Sequence, residues 1–159
     1  MKAEQQAIYA CRFWEDSKQA SALLFIHIDG ASRGNPGSSG IGIVIVRDSH
    51  NVSEYREFIG TRTNNQAEYL ALKKALEIAS SLDSEVTILS DSELIINQRL
   101  HYYKVRNKQL KELFRQITSL ERRFTTVNYR HVPRELNKHA DLLANKAIDE
   151  RIKYENGTT

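Results

Sequence analysis

Two short apolar, β-prone runs each end on an aspartate, and a segment with helical periodicity lies between them. Leu23-Leu24-Phe25-Ile26-His27-Ile28 leads into Asp29, and Val86-Thr87-Ile88-Leu89-Ser90 leads into Asp91. Each run has the length and composition of a buried strand. A strand, a helix and a second strand in that order form a crossover, so the two strands are expected to lie parallel and adjacent. Glycine and proline follow the first run in Gly30-Ala31-Ser32-Arg33-Gly34-Asn35-Pro36-Gly37, so the first strand is expected to stop at Asp29. Both acids then stand at the carboxyl ends of neighbouring parallel strands, where open α/β sheets bind ligands.

The rest of the chain fits around this unit. Ile41-Gly42-Ile43-Val44-Ile45-Val46-Arg47 reads as a second strand and Asp48-Ser49-His50-Asn51 as a turn. Val52 to Ile59 reads as a third strand, whose Glu54, Arg56 and Glu57 mark an exposed edge. Thr63-Asn64-Asn65-Gln66 has the capping-box pattern, a hydroxyl followed three residues later by Gln. Leu72, Ala75, Leu76, Ala79 and Leu82 then share one helical stripe, with an end expected near Ser80-Ser81. Further helices are predicted over Glu93–Leu100 and Asn107–Arg123, and a fifth strand over Thr125–Val132. A last helix spans Leu136–Lys153, with Leu142, Leu143, Ala147 and Ile148 facing inward.

The predicted architecture is one α/β domain over residues 22–153. Its five-stranded mixed sheet, an antiparallel meander plus two parallel strands, is flanked by helices. Residues 1–21, with Ala7, Ile8, Ala10, Cys11 and Trp14 at rough helical spacing, form an extension of unassigned role, and residues 154–159 a tail.

A chain of 159 residues suffices for one domain with a sizeable core. No apolar run approaches the ~18 residues that suggest a membrane span. The single cysteine, Cys11, excludes an internal disulfide framework and fits a reducing compartment. A cytoplasmic monomer without membrane contact is expected. The net charge of +3 is mild, but its distribution is uneven. From Arg99 to Arg130 nine basic residues face only Glu112 and Glu121, a local excess of seven positive charges. A basic flank beside an acidic centre suits the handling of a polyanion; a solvated helix face is the blander reading.

Two more acids can join Asp29 and Asp91. Glu68 lies among Ala67, Leu70, Ala71 and Leu72, and Asp141 lies between Ala140 and Leu142, where an exposed face is not expected. Any one of them alone reads as a cap or turn carboxylate. Four converging carboxylates repel one another and have raised pKa values, a conflict that divalent cations remove. All-oxygen ligands select a hard ion such as Mg²⁺ or Mn²⁺. Two such ions ~3.5–4 Å apart can clamp a phosphodiester for hydrolysis.

The segments Asp29-Gly30-Ala31-Ser32-Arg33-Gly34-Asn35-Pro36-Gly37, Thr63-Asn64-Asn65-Gln66-Ala67-Glu68, Ser90-Asp91-Ser92 and Asn137-Lys138-His139-Ala140-Asp141 resemble, in the same order, the motifs of type 1 ribonuclease H. The resemblance extends from residue 23 to about 150 and implies the ribonuclease H-like fold. It implies that Asp29, Glu68, Asp91 and Asp141 are the catalytic metal ligands, with two ions in place when substrate is bound. The implied reaction is cleavage of the RNA strand of an RNA–DNA hybrid, leaving 5′-phosphate and 3′-hydroxyl ends. The family also uses a histidine before the last acid, and His131 stands ten positions before Asp141. An imidazole there can shuttle a proton or help product leave. Arg130-His131-Val132-Pro133 departs from the family's glycine-flanked loop, however, which leaves open a structural role for His131 at the end of the fifth strand. His139 is a weaker alternative.

A hybrid nuclease must sense the 2′-hydroxyl. Asn35, Asn64 and Asn65, set beside the acids by these motifs, are the candidate readers, although Asn also serves turns and caps. Thr63 resembles the family residue that helps hold a DNA-strand phosphate at a helix N-terminus. The stretch after Asp91 has no room for the long basic protrusion of some relatives. Lys104, Arg106 and Lys108 are the candidate phosphate contacts in its place, with Tyr102 or Tyr103 able to pack on a sugar. Two other readings stay open: a nucleic-acid-binding module without turnover, and a nuclease or strand-transfer enzyme of the wider fold acting on duplex DNA.

Overall fold

The computed structural model describes residues 23–47 and 51–157. The predicted extension and most of the Asp48–Asn51 turn lie outside the described residues. The described residues form five strands, β1 (Leu24–Gly34), β2 (Gly37–Arg47), β3 (Asn51–Arg62), β4 (Glu85–Ser90) and β5 (Thr126–His131). Four α-helices accompany them: α1 (Asn64–Ala79), α2 (Glu93–Arg99), α3 (Lys108–Glu121) and α4 (Lys138–Glu155), the last preceded by a 3₁₀ turn at Arg134–Leu136. No described helix is long and apolar enough to cross a membrane.

The sheet order is β3-β2-β1-β4-β5. Strands β1, β2 and β3 pair antiparallel, and β4 pairs parallel with both β1 and β5. The predicted five-stranded mixed sheet with its meander and parallel strands is therefore the observed one. Alternate residues of β1 serve the two faces. Leu24, Ile26 and Ile28 join a core with Ile43, Tyr69, Leu72, Leu76 and Ile117, beneath α1 and α3. Phe25 joins Val44, Leu89, Val132, Ala140 and Leu143, beneath α4.

The first strand does not stop at Asp29. It continues to Gly34, with Asp29 opposite Gly42 and Gly34 opposite Gly37, so that Asn35-Pro36 alone make the hairpin turn. The glycine that looks like a strand breaker is instead a strand residue pressed by a helix. A Cβ on Gly30 would stand 2.3 Å from the backbone carbonyl carbon of Ala67. What does end near Asp29 is the parallel pairing, whose last register pair is His27 with Leu89.

The capping box at α1 is complete: Gln66 N–H donates to Thr63 Oγ1 at 3.2 Å, and Thr63 N–H donates to Gln66 Oε1 at 2.9 Å. Two predicted core residues are exposed instead, Leu82 beyond the end of α1 and Leu142 on α4, at 46% and 59%. The buried face of α4 comprises His139, Ala140, Leu143, Ala144, Ala147 and Ile148. At 3.6 residues per turn, positions 141 and 142 rotate away from that face, so Asp141 is exposed as well.

Candidate active site

Asp29, Glu68 and Asp91 each offer a carboxylate oxygen, and these oxygens lie within 4.8 Å of one another. They are carried by the middle of β1, the first turns of α1 and the residue after β4. The close approach of α1 to Gly30 brings Glu68 against Asp29. The three acids share a cleft of about 410 Å³ with Asp141, Asn64 and Arg134. Asp141 lines this cleft without joining the tight three-acid group, and Asn145 Nδ2 donates to its Oδ1 at 3.1 Å.

Burial raises the Asp29 carboxyl far above the ordinary carboxylate range, and Glu68, Asp91 and Asp141 push in the same direction. Glu68 is also raised, first by burial and then by Asp91, while the Gly30 N–H directed at it pulls the other way. Glu68 Oε2 is buried and takes no hydrogen bond. An unpartnered buried oxygen in a cluster of acids is a poor arrangement for three anions and a good one for a hard cation.

His131 ends β5 in an exposed position, and its Nε2 donates to the Asp91 carbonyl oxygen at 3.2 Å. His139 is elsewhere: it lies on the buried face of α4, with Nε2 2.6 Å from Glu54 Oε1 on the edge strand. Asn35 Oδ1 accepts the Asn64 N–H at 3.1 Å, which ties the hairpin turn to the start of α1. Asn64 lines the cleft, Asn65 is exposed and Thr63 caps α1. Lys104, Arg106 and Lys108 are exposed before and at the start of α3, and none lines the cleft. Tyr102 and Tyr103 are 75% and 48% exposed, which excludes a core role for them.

Not all of the basic stretch is surface. The Arg99 side chain is only 1% exposed, with Nη2 2.6 Å from Glu121 Oε1 and its guanidinium carbon 4.2 Å from the Phe114 ring centroid. It belongs to the core. Sequence reasoning also missed two partners of Asp91, one of them buried behind the cleft. Arg134 lines it with Nε 3.8 Å from Asp91 Oδ2, and Asn137 Nδ2 donates to Asp91 Oδ1 at 3.2 Å. Asn137 opens the Asn137-Lys138-His139-Ala140-Asp141 motif, which was the available signal; nothing local distinguishes Arg134 from other surface arginines.

Comparisons with known proteins agree with this arrangement. A family model described as reverse transcriptase-like matches residues 27–147. A bifunctional protein of Mycobacterium tuberculosis is 41% identical over 129 residues, covering 79% of this chain and 35% of that protein. Ribonuclease HI of Halobacterium salinarum is 39% identical over 126 residues, covering 78% of this chain and 63% of its own length. This chain thus spans about one third to two thirds of those relatives. The crystal structure of LC11-RNase H1 in complex with an RNA/DNA hybrid superposes with a TM-score of 0.77 at 41% identity, covering 81% of this chain and 99% of that one. The motif order, the sheet order and these matches converge: the chain belongs to the reverse transcriptase-like ribonuclease H family, in its type 1 form.

Proposed function

We propose that this protein is an endoribonuclease that hydrolyses the RNA strand of RNA–DNA hybrids, leaving 5′-phosphate and 3′-hydroxyl ends. Two Mg²⁺ or Mn²⁺ ions would be held by Asp29, Glu68, Asp91 and Asp141. The observation that carries this reading is the trio of carboxylate oxygens within 4.8 Å of one another. The buried, unpartnered Glu68 Oε2 supports it, as does the similarity to an RNase H1 in complex with an RNA/DNA hybrid. When bound, two hard cations supply Lewis-acid polarisation of the phosphate and a nucleophile at neutral pH.

The chain's own residues do the rest. Asp29 is central, because it lies against Glu68 and feels both Asp91 and Asp141. Asp141, exposed at the cleft margin, completes the donor set from α4. His131 moves a proton or helps product leave, as an exposed imidazole beside Asp91 is able to do. Asn35, Asn64 and Asn65 read the 2′-hydroxyl of the RNA strand, and Thr63 at the start of α1 holds a phosphate of the DNA strand. Lys104, Arg106 and Lys108 contact phosphates further along the duplex, with Tyr102 or Tyr103 against a sugar.

The test is cleavage of an end-labelled hybrid in Mg²⁺ and in Mn²⁺, beside the same sequence as duplex DNA. Wild type is expected to cut only the RNA strand of the hybrid, and Asp29→Asn to abolish cutting. An intact hybrid with the wild-type protein in both metals overturns the proposal, and equal cutting of duplex DNA replaces it with a different nuclease.

A further inference from the structure

We propose that His27, buried one layer behind the acids, is a positioning residue that acts on Asp91 through Asn137. The inference rests on the metal-binding reading of the carboxylate cluster. His27 precedes Asp29 by two residues on β1 and shares its face of the sheet. Its neighbour on that face is the core residue Phe25. At 1% exposure a polar ring is costly unless it is hydrogen-bonded. Its Nδ1 lies 3.1 Å from Asn137 Oδ1.

Asn137 is the stronger half of the argument. It stands at the N-cap of α4, a position where Asn normally caps with its side chain, yet it makes no side-chain cap bond. It is 1% exposed, and its amide is turned inward instead. Nδ2 donates to the Ile28 carbonyl oxygen at 2.9 Å and to Asp91 Oδ1 at 3.2 Å. One side chain thus ties the backbone just before Asp29 to the carboxylate of Asp91, fixing two acids on neighbouring strands relative to each other.

The direction of every proton in this chain of contacts follows from chemistry. The Ile28 carbonyl can only accept, so the Asn137 nitrogen must face it. The Asn137 oxygen then faces His27, and His27 Nδ1 must be the donor. A flipped amide would set its oxygen against a carbonyl and a carboxylate. The His27 N–H therefore satisfies and holds the one orientation in which Asn137 donates to Asp91. Without a donor at position 27, Asn137 Oδ1 is a buried acceptor without its partner, and the amide is held by its nitrogen alone. Groups that orient metal ligands in this way typically change metal affinity by roughly 10- to 100-fold when removed.

The experiment titrates Mn²⁺ alone into chelator-stripped protein by calorimetry, with thermal unfolding recorded for each variant. His27→Asn places an amide nitrogen near the position of Nδ1 and is expected to keep wild-type affinity within about threefold. His27→Leu fills the space without a donor and is expected to weaken binding by about 10- to 100-fold. In an Asn137→Ala background, His27→Leu is expected to add less than about twofold, because its effect passes through the missing amide.

A folded His27→Leu that binds Mn²⁺ like wild type overturns the assignment. So does equal weakening in His27→Asn and His27→Leu, or an undiminished effect in the Asn137→Ala background. If His27→Leu does not fold, the Asn137 side-chain amide resonances of the metal-free wild type decide. Slowly exchanging, dispersed NH₂ protons are expected, and a solvent-averaged amide overturns the clamp. Wild type that fails to bind Mn²⁺ or to cut hybrid defeats the reading of the site itself, whereas a wild type that does both beside an unaffected His27→Leu defeats this inference alone.

Discussion

Gly42 of β2 lies so close beneath Ala140 of α4 that a Cβ on Gly42 would stand 2.0 Å from the Ala140 carbonyl oxygen. The helix that carries Asp141 therefore rests directly on the sheet, backbone against backbone, one residue before the acid. Its depth is set by the absence of a side chain on β2 rather than by any group in the cleft. Gly42→Ala is expected to force α4 outward and to destabilise the fold by about 1–3 kcal/mol, the usual cost of overpacking. Urea denaturation measures that loss. Because Asp141 moves with α4, Mn²⁺ affinity should fall in the same variant, and unchanged affinity would show that Asp141 is not coupled to the docking of its helix.

Arg99 provides a second test of packing. Its guanidinium is held by Glu121 Oε1 at 2.6 Å, Thr118 Oγ1 at 3.3 Å and the Phe114 carbonyl at 3.3 Å, with Tyr129 OH on the same Glu121 oxygen. Glu121→Leu leaves a buried cation without its carboxylate and is expected to cost about 3–5 kcal/mol. Arg99→Met combined with Glu121→Leu removes both charges and should recover most of that loss. Chemical denaturation of the single and double variants reads both, and additive losses in the pair would argue against the coupling.

Stability should depend on pH in the metal-free protein, with a sign set by the two raised carboxyls. The Asp29 and Glu68 carboxyls lie above their ordinary values of 3.8 and 4.5 in the folded state. Across that window the folded chain binds more protons than the unfolded chain, so stability falls as pH rises from about 4 through neutrality. In chelator, the melting temperature of wild type is expected to decline over this range, and Asp29→Asn is expected to melt higher than wild type at pH 8. Mg²⁺ or Mn²⁺ should reverse the order by stabilising wild type alone. A flat profile in chelator would mean that the three acids do not share a low-dielectric site.

Salt tests the distant basic residues separately from the acids. If Lys104, Arg106 and Lys108 contact phosphate, each Ala substitution should lower the slope of log affinity against log salt by about 0.9 for a lost contact. Arg99→Met is the control, since a side chain 1% exposed has no phosphate contact to lose. Binding of Asp29→Asn to a hybrid, measured by fluorescence anisotropy over a salt series, gives the slopes. Equal slopes for all four substitutions would remove the basic loop from the interface.

The order of elements, the strand–helix–strand crossover and the capping box at Thr63 are legible in the amino-acid sequence, as are Asp29, Glu68 and Asp91 as acids set to meet. Those features are local. Periodicity, caps and turn residues act over a few positions, and a crossover has one common hand and pairing. Packing between distant elements settled the rest. It carried β1 past Gly30, because whether a glycine breaks a strand or admits a helix depends on what packs above it. It set Asp141 at the open margin of the cleft and turned Arg99 inward, since the face a helical residue presents is fixed only when its partner element arrives. It also joined His27, Asn137 and Asp91, positions separated by up to 110 residues in the chain. No local pattern announces such a clamp, because a buried polar group takes its meaning from the single donor or acceptor that folding places beside it.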